Sequence, residues 1–307
     1  MRVSVQFNHV VTIAPPSSKG IADAIEGVLA NFNRDDDLLE AKIAPDRMVD
    51  PHFDPALVRT TIARLAAEAE RLNSPDARPD RRLAALRQVL YVSGPWNDGR
   101  PFSYDLENDP TGQSPTARLL HNYLRTRLGN CISMPILFLI LGDHIGLDVT
   151  LANAPLHVFV RYTSEAGKIV NIEATSGGHL CRDEWLRHNM PMTDRAVASG
   201  IYLRSLSRRE CVSLMASTVL EHLSTCERWS DVFAVADILM REDPLNVYAM
   251  IKKAHVAGLL QMREFEDLYS SPLFIPPVAR PRYAQLAGLN HQLFTRAEQL
   301  GWEPVPI

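Results

Sequence analysis

The sequence has few cysteines, no long apolar run and no large excess of charge of either sign. Four cysteines are spread over 307 residues, at positions 131, 181, 211 and 226, and none forms a C-x-x-C pair. Sparse and unpaired cysteines in a chain of this size are typical of free thiols in a reducing compartment. The first ten residues also lack the apolar core of a secretion signal. We therefore expect a cytoplasmic protein.

The absence of several other sequence features excludes further classes of function. The best candidate for a membrane span, residues 136–141, is far shorter than the roughly 20 residues that a helix needs to cross a bilayer. The net charge of −4 gives no general attraction to nucleic acid or to an anionic membrane. The sequence contains no P-loop, no dinucleotide-binding fingerprint and no HExxH motif. We expect no membrane anchorage, no nucleic-acid partner and no cofactor.

The length of the chain and the order of the helix and strand patterns along it predict two domains. The length is about twice that of a usual single domain, so we expect a large domain and a smaller one. The first domain is predicted over residues 1–206 and the second, a helical module, over residues 207–307. Helix pairs separated by an Asp-Pro-x-Asn turn in the second domain resemble tetratricopeptide units.

Within the first domain, alternating residues near the start predict a strand over residues 3–7, and several amphipathic helices follow. Residues 94–114 form an unusually long loop rich in Gly, Pro, Asn and Asp, and loops of this kind often border functional sites. A further helix is predicted over residues 116–128, closed by Gly129.

The stretch "NCISMP" at residues 130–135 places a thiol where a helix is predicted to start. Pro135 lacks an amide hydrogen and is tolerated in the first turn of a helix, which fixes the helix start close to Cys131. The partial positive charge and free N–H groups of that terminus favour a thiolate. A small buried cysteine without reactivity is the structural alternative.

A predicted β-hairpin downstream supplies two partners for the thiol. With a five-residue loop over residues 163–167, Tyr162 pairs with Lys168 and His157 lies directly opposite Glu173. The apolar side chains at alternate positions then share the opposite face of the sheet. A cysteine at a helix start, a histidine that takes its proton and a carboxylate that orients the imidazole are the parts of a thiol nucleophile. A surface cross-strand contact without catalytic meaning is the alternative for the pair alone.

Three stretches resemble the transglutaminase-like superfamily, and within it the SirB1-type branch: "RLGNCISMPILFLILGDHIGL", "APLHVFVRY" and "NIEATSGG". The similar region runs from about residue 47 to residue 178. The resemblance implies an α+β, papain-like fold in which a helix bearing the cysteine packs on a small antiparallel sheet. It also implies Cys131 as nucleophile, His157 as base and Glu173 as third member, with C-terminal tetratricopeptide-like helices, as in much of that branch.

The sequence departs from the family in two ways. The third position usually holds Asp, and here it holds Glu173, which is longer by one methylene but still accepts the imidazole N–H. Many SirB1-type members carry proline after the Gly-Asn, whereas this chain keeps Cys131, which favours activity.

Candidates for the supporting groups follow from the chemistry. An acyl-transfer site needs donors for the developing oxyanion. The backbone N–H of Cys131 is one candidate, and Asn130 or a polar residue of the 94–114 loop is a second. Asn130 is equally suited to cap the helix, which is the interpretation we favour. Asn171 shares the predicted face of His157 and is a candidate for orienting it or for binding substrate. Ser133 is an alternative nucleophile, although a first-turn serine usually bonds backbone amides.

A metal site is a weaker interpretation. His179, Cys181 and His188 lie close together in sequence, but they match no established zinc spacing and lack a fourth ligand. We expect no bound metal.

Two functional hypotheses remain. The first is a cysteine enzyme that attacks an amide or another acyl group of a protein or peptide through a thioester at Cys131. It would be a protease, amidase or deamidase if water resolves the thioester, and a transglutaminase if an amine does. The second is an inactive transglutaminase-like scaffold that binds a protein partner through its C-terminal helices, because fold does not determine function.

Overall fold

The structure is a computed structural model, and it describes residues 18–33, 36–74 and 77–305. The strand predicted over residues 3–7 lies outside the described residues. No helix in the described ranges combines the length and apolar character needed to cross a membrane. Whether the protein is cytoplasmic stays a prediction.

Four helices form the N-terminal part. They are α1 (Ser18–Asn31), α2 (Leu38–Val49), α3 (Pro55–Arg71) and α4 (Pro79–Tyr91). Helix α3 begins where the sequence indicates, because the Asp54 side chain accepts a hydrogen bond from the amide of Ala56 and Pro55 occupies the first turn. One face of each helix packs into the main apolar core.

The long loop after α4 is tied down by a short parallel pairing. Strand β1 (Ser103–Tyr104) pairs with β2 (Leu128–Gly129), so that Tyr104 lies beside Gly129. Between them, α5 (Leu120–Thr126) is shorter than the helix predicted over residues 116–128. Arg127, and not Gly129, ends it in the left-handed conformation, with φ of 66°. The prediction was wrong because the next two residues pair with β1 instead of continuing the helix.

A buried helix and an antiparallel sheet make up the centre of the fold. Helix α6 (Ser133–His144) is buried along almost its whole length. It packs on the first strands of a four-stranded sheet in the order β3-β4-β5-β6. The strands are β3 (Val149–Ala154), β4 (His157–Thr163), β5 (Ile169–Glu173) and β6 (His179–Cys181).

The hairpin β4–β5 has the predicted faces but not the predicted register. Tyr162 pairs with Val170, not with Lys168, and Thr163 pairs with Ile169. The turn therefore covers residues 164–168, where the Ser164 hydroxyl accepts a hydrogen bond from the amide of Lys168. Every pair is shifted by two residues, so His157 is not directly opposite Glu173. Because side chains alternate with a period of two, the shift leaves both on the same face.

The remaining described residues, 182–305, contain helices and irregular segments. The helices are α7 (Asp183–Asn189), α8 (Asp194–Ser199), α9 (Arg208–Thr225), α10 (Trp229–Glu242), α11 (Val247–Gln261) and α12 (Arg280–Gln299). Helices α9 and α10 form the predicted hairpin. One core of buried apolar side chains runs from Ile21 to Val256, on both sides of the boundary predicted near residue 206. That boundary and the tetratricopeptide-like character of the C-terminal helices stay predictions.

Candidate active site

The start of α6 is capped by the residue that precedes the cysteine. The Asn130 side chain is fully buried, and its Oδ1 accepts hydrogen bonds from the amides of Ile132 (3.0 Å) and Ser133 (3.1 Å). The amide of Met134 donates to the carbonyl of Asn130, so helical bonding begins there. The favoured interpretation of Asn130 as a cap agrees with these bonds. Cys131 is consequently held just before the N-terminus of α6, where the helix dipole favours negative charge.

The Cys131 thiol faces the turn between β3 and β4. Its Sγ lies 3.7 Å from the carbonyl oxygen of Leu156, the residue immediately before His157. Leu156 has a φ of 54°, a left-handed conformation that is strained for a non-glycine residue, and its side chain is 71% exposed. This turn was not singled out by the sequence, although Pro155 followed by Leu156 between two strands is a signal for it.

His157 and Glu173 are in direct contact. Nε2 of His157 lies 2.8 Å from Oε2 of Glu173, and the carboxylate is almost completely buried. The other carboxylate oxygen accepts hydrogen bonds from the amide (3.1 Å) and the hydroxyl (2.6 Å) of Thr175. Thr175 was missed by the sequence analysis. It holds one carboxylate oxygen, while the other contacts the imidazole.

The environment keeps this pair charged. Burial acts to lower the pKa of His157, but interactions with Cys131 and Glu173 outweigh it and raise that pKa to about 9. Burial acts to raise the pKa of Glu173, but hydrogen bonds from His157 and Thr175 outweigh it and lower that pKa below its usual range. At neutral pH the imidazole therefore carries a proton beside an ionised carboxylate.

The three side chains can support nucleophilic chemistry. With Nε2 held by Glu173, Nδ1 is the nitrogen left to exchange a proton with the Cys131 thiol. An imidazolium next to a cysteine favours the thiolate, which is the nucleophilic form. A carboxylate that fixes the orientation of the ring keeps the imidazole ready for both proton transfers.

The other predicted site residues serve different networks. Asn171 is buried, accepts a hydrogen bond from Nε of Arg161 (3.1 Å) and donates one to Asp183 (2.7 Å). It shares the sheet face of His157 but is not brought to the imidazole. The Ser133 hydroxyl accepts from the Asn130 amide (3.1 Å), which fits a capping serine more closely than a nucleophile.

The long loop contributes a neighbour that sequence analysis left unnamed. The Tyr104 hydroxyl and Cys131 Sγ both border the backbone of Gly112, in the 94–114 loop. The sequence indicated only that a polar residue of this loop would reach the site. The sequence analysis did not identify Tyr104, because a strand of two residues is too short to show an alternation of apolar and polar side chains.

A shallow depression of about 480 Å³ opens on the Glu173 side of the site. Its walls include His179, Cys181 and Trp185. Burial, followed by the charges of Glu173 and Asp183, raises the pKa of Cys181 to about 11. Among the described residues, no group of three or more His, Cys, Asp or Glu side chains is placed to hold a metal ion.

Comparison with known proteins gives three similarities. A family model described as "Transglutaminase-like superfamily" matches residues 56–217, which include Cys131, His157 and Glu173. The chain is 24% identical over 235 residues to UPF0162 protein BU173 of Buchnera aphidicola subsp. Acyrthosiphon pisum (strain APS), covering 72% of this chain and 82% of that protein. It is also similar to a crystal structure of menin that reveals the binding site for Mixed Lineage Leukemia (MLL) protein. That likeness has a TM-score of 0.39 and 13% identity, over 96% of this chain and 86% of the menin chain.

Proposed function

Because the matched region spans more than half of its length, the chain belongs to the transglutaminase-like superfamily, and we propose that it is an active cysteine enzyme. Its reaction is attack by Cys131 on the carbonyl carbon of an amide or related acyl group in a protein or peptide. The observation that carries the proposal is the 2.8 Å contact between His157 and Glu173 beside the thiol.

The proposed cycle has two halves. The Cys131 thiolate adds to the carbonyl carbon, and the His157 imidazolium gives its proton to the leaving amine as the carbon–nitrogen bond breaks. This leaves a thioester on Cys131 and a neutral imidazole. Water or a second amine then attacks the thioester, His157 takes the proton from the attacking group, and the thiolate leaves. Glu173 stabilises the imidazolium at both stages.

The shape of the depression next to Glu173 supports an extended substrate. It is open, and it combines the apolar surfaces of Leu180 and Trp185 with charged Arg182 and Glu184. Such a mixed and shallow surface suits a peptide segment better than a small apolar ligand, which prefers an enclosed pocket.

The proposed architecture keeps the SirB1-type assignment, with a transglutaminase-like domain over residues 1–206 and a tetratricopeptide-like module over residues 207–307. In the described part of that module, up to residue 305, every regular element is a helix. The hairpin of α9 and α10 and the Asp-Pro-Leu-Asn turn before α11 support this assignment. We place the enzyme in the cytoplasm.

Acylation by p-nitrophenyl acetate tests the proposed function without a known substrate. We expect acetyl-Cys131 to form rapidly, as read by peptide mass spectrometry, and Cys131→Ala to abolish it. His157→Gln is expected to slow it by about 100-fold or more, because proton transfer by a positioned histidine contributes that much. Product analysis with and without glycinamide distinguishes hydrolysis from aminolysis. Acetylation of Cys131 no faster than that of the exposed Cys226, or unaffected by His157→Gln, would contradict the proposal.

One observation favours a second function, partner binding by an inactive scaffold. Leu273, Phe274 and Val278 are 81%, 67% and 89% exposed in the proline-rich segment before α12. Neighbouring exposed apolar side chains of this kind mark interaction surfaces. If this is the main function, replacing all three by Ser abolishes capture of a partner, and Cys131 shows no acylation above Cys226.

A further inference from the structure

Tyr104 is held beside the reactive thiol by main-chain bonds. The amide of Ser103 donates to the carbonyl of Arg127, and the amide of Asp105 donates to the carbonyl of Gly129, both at 2.9 Å. These bonds fix Tyr104 next to Gly129, two residues before Cys131. The position of the tyrosine relative to the thiol therefore depends on backbone pairing and not on a mobile loop.

The Tyr104 hydroxyl and the thiol border one small space over Gly112. A Cβ atom at Gly112 would lie 2.8 Å from the Tyr104 hydroxyl oxygen and 3.7 Å from Cys131 Sγ. Both atoms are thus within reach of a single atom placed there. Gly112 has a φ of 67°, and any side chain at this position would fill the space.

The hydroxyl has its proton and no strong acceptor. Burial, followed by the charges of Cys131, Asp109 and Asp105, raises the pKa of Tyr104 to about 12, so the group stays protonated. Its contact with the carbonyl of Pro110 is 3.5 Å, the weak limit of a hydrogen bond. The O–H can therefore turn to an acceptor that enters the space over Gly112.

The two asparagines are less well placed to donate into the space over Gly112. Asn130 caps α6 through Oδ1, and its Nδ2 lies 3.5 Å from the carbonyl of Gly112. Asn171 donates to Asp183. An acyl-transfer site needs donors placed where the oxyanion forms, close to both the nucleophile and the donor. Of the tyrosine and the two asparagines, Tyr104 is the residue whose polar atom borders the space over Gly112, where Asn130 presents only its Cβ.

We propose that Tyr104 is a catalytic residue, whose hydroxyl donates a hydrogen bond to the oxyanion of the tetrahedral intermediate formed at Cys131. The inference rests on the proposed function and adds to it the group that stabilises the transition state. The acyl oxygen of the substrate occupies the space over Gly112, and the backbone N–H of Cys131 is the candidate for a further donor.

Two reagents distinguish this role from a general effect on the thiol. Acetylation of Cys131 by p-nitrophenyl acetate passes through an oxyanion, whereas alkylation by iodoacetamide displaces iodide from a saturated carbon and forms none. Tyr104→Phe is expected to slow acetylation by about 100-fold, as loss of one oxyanion donor does. Alkylation should stay within about two-fold of the wild type, since no oxyanion forms in that reaction.

The rates of acetylation and alkylation, taken together, distinguish the ways in which the inference can fail. Unchanged acetylation of Tyr104→Phe overturns it. An equal loss of both rates also overturns it, because the tyrosine would then act on the thiol and not on the oxyanion. If wild-type Cys131 is alkylated rapidly but never acetylated, the oxyanion site is wrong while the activated thiol stands. If wild-type Cys131 is inert to both reagents, the proposed function fails and the inference fails with it.

A second variant tests the space itself. Gly112→Ala places a methyl group against the Tyr104 hydroxyl, so we expect the ratio of acetylation to alkylation to fall at least ten-fold, a large part of a donor's contribution. Gly99→Ala is the matched control, because Gly99 has a similar φ of 69° but its Cβ would meet only Ser93 Oγ, at 3.9 Å. An equal ratio in the two variants contradicts the proposed position of the oxyanion.

Discussion

Among the described residues, two pairs of opposite charge have both side chains largely buried, and one of the two lies beside a thiol. Lys42 and Asp46 of α2 are 2.7 Å apart with side-chain exposures of 0% and 1%. His157 and Glu173 are 2.8 Å apart with exposures of 14% and 5%. Burial of charge alone therefore does not identify a functional site. The difference lies in what surrounds each pair.

The pair of Lys42 and Asp46 is enclosed by hydrogen bonds to other parts of the chain. Lys42 donates to the carbonyl of Arg118 (3.1 Å) and to the hydroxyl of Thr218 (3.3 Å), while Asp46 accepts from the amide of Leu120 (2.8 Å). These contacts join α2 to the start of α5 and to α9. The pair holds three parts of the chain together and leaves no side open to a substrate.

The carboxylates of the two pairs respond differently to burial. Burial raises the pKa of Asp46 above its usual range despite the charge of Lys42. In Glu173 the opposing effect of burial is outweighed by hydrogen bonds from His157 and Thr175, which lower the pKa. The number and placement of hydrogen bonds to the carboxylate decide the direction. In the pair of His157 and Glu173, the surrounding interactions favour the charged form of both members.

Removing the lysine of the closed pair is expected to have the largest effect on stability. Lys42→Met leaves the Asp46 carboxylate buried without its cation, which costs about 3–5 kcal/mol of the free energy of unfolding. Urea unfolding measures this loss. Arg59→Met, which breaks the exposed pair with Glu40, is the control and should change stability little. Alkylation of Cys131 in folded Lys42→Met should be unchanged, and a large decrease would show that the two pairs are not independent.

The pair of His157 and Glu173 is expected to make the stability of the fold depend on pH in the alkaline range. The folded-state pKa of His157, about 9, is above the ordinary 6.5. Its stabilising contribution is therefore complete below pH 6.5 and is lost as pH rises through 9, by about 3 kcal/mol. We expect the difference in unfolding free energy between wild type and His157→Gln to shrink by that order between pH 6 and pH 9.5. A constant difference across this range contradicts the charged imidazole.

Substitution in the strained turn before His157 is expected to have the smallest effect on stability, and to stabilise the protein where the other substitutions destabilise it. Leu156→Gly relieves the left-handed backbone and is expected to stabilise the protein by about 0.5–1 kcal/mol, after the greater freedom of glycine in the unfolded chain is subtracted. Thermal unfolding measures it. Leu57→Gly, at an exposed leucine within α3, should instead destabilise by about 1 kcal/mol. Destabilisation by both would show that the turn is not strained.

The hairpin shows how far a sequence pattern can determine a β-sheet. Alternation of apolar residues predicts correctly that His157 and Glu173 share one face. Registers that differ by two residues satisfy that alternation equally well, so the pattern cannot choose between them. The choice is made by the turn, where the Ser164 hydroxyl and the left-handed Gly167 close a loop over residues 164–168. The long side chain of Glu173 then spans the diagonal to His157.

The start of α6 could be predicted from neighbouring residues, whereas the contact of the 94–114 loop with the site could not. Asn130 and Pro135 are local signals, and a helix does start between them, with the Asn130 side chain accepting hydrogen bonds from the amides of Ile132 and Ser133. Tyr104 reaches the site through pairing with Gly129, 25 residues further along the chain, in strands of two residues. Contacts of this kind depend on the packed core and not on neighbouring residues. For this reason the sequence indicated the loop but not the residue.

The most direct test of the activated thiol is the rate of iodoacetamide alkylation at all four cysteines near pH 6, read by peptide mass spectrometry. Cys226 is exposed, Cys131 and Cys181 are partly exposed and Cys211 is buried, so accessibility alone predicts that Cys226 reacts fastest. The proposed thiolate–imidazolium pair predicts instead that Cys131 reacts far faster than the other three and slows strongly in His157→Gln. A Cys131 rate at or below that of Cys226, unchanged by the substitution, would contradict an activated cysteine and favour the scaffold function.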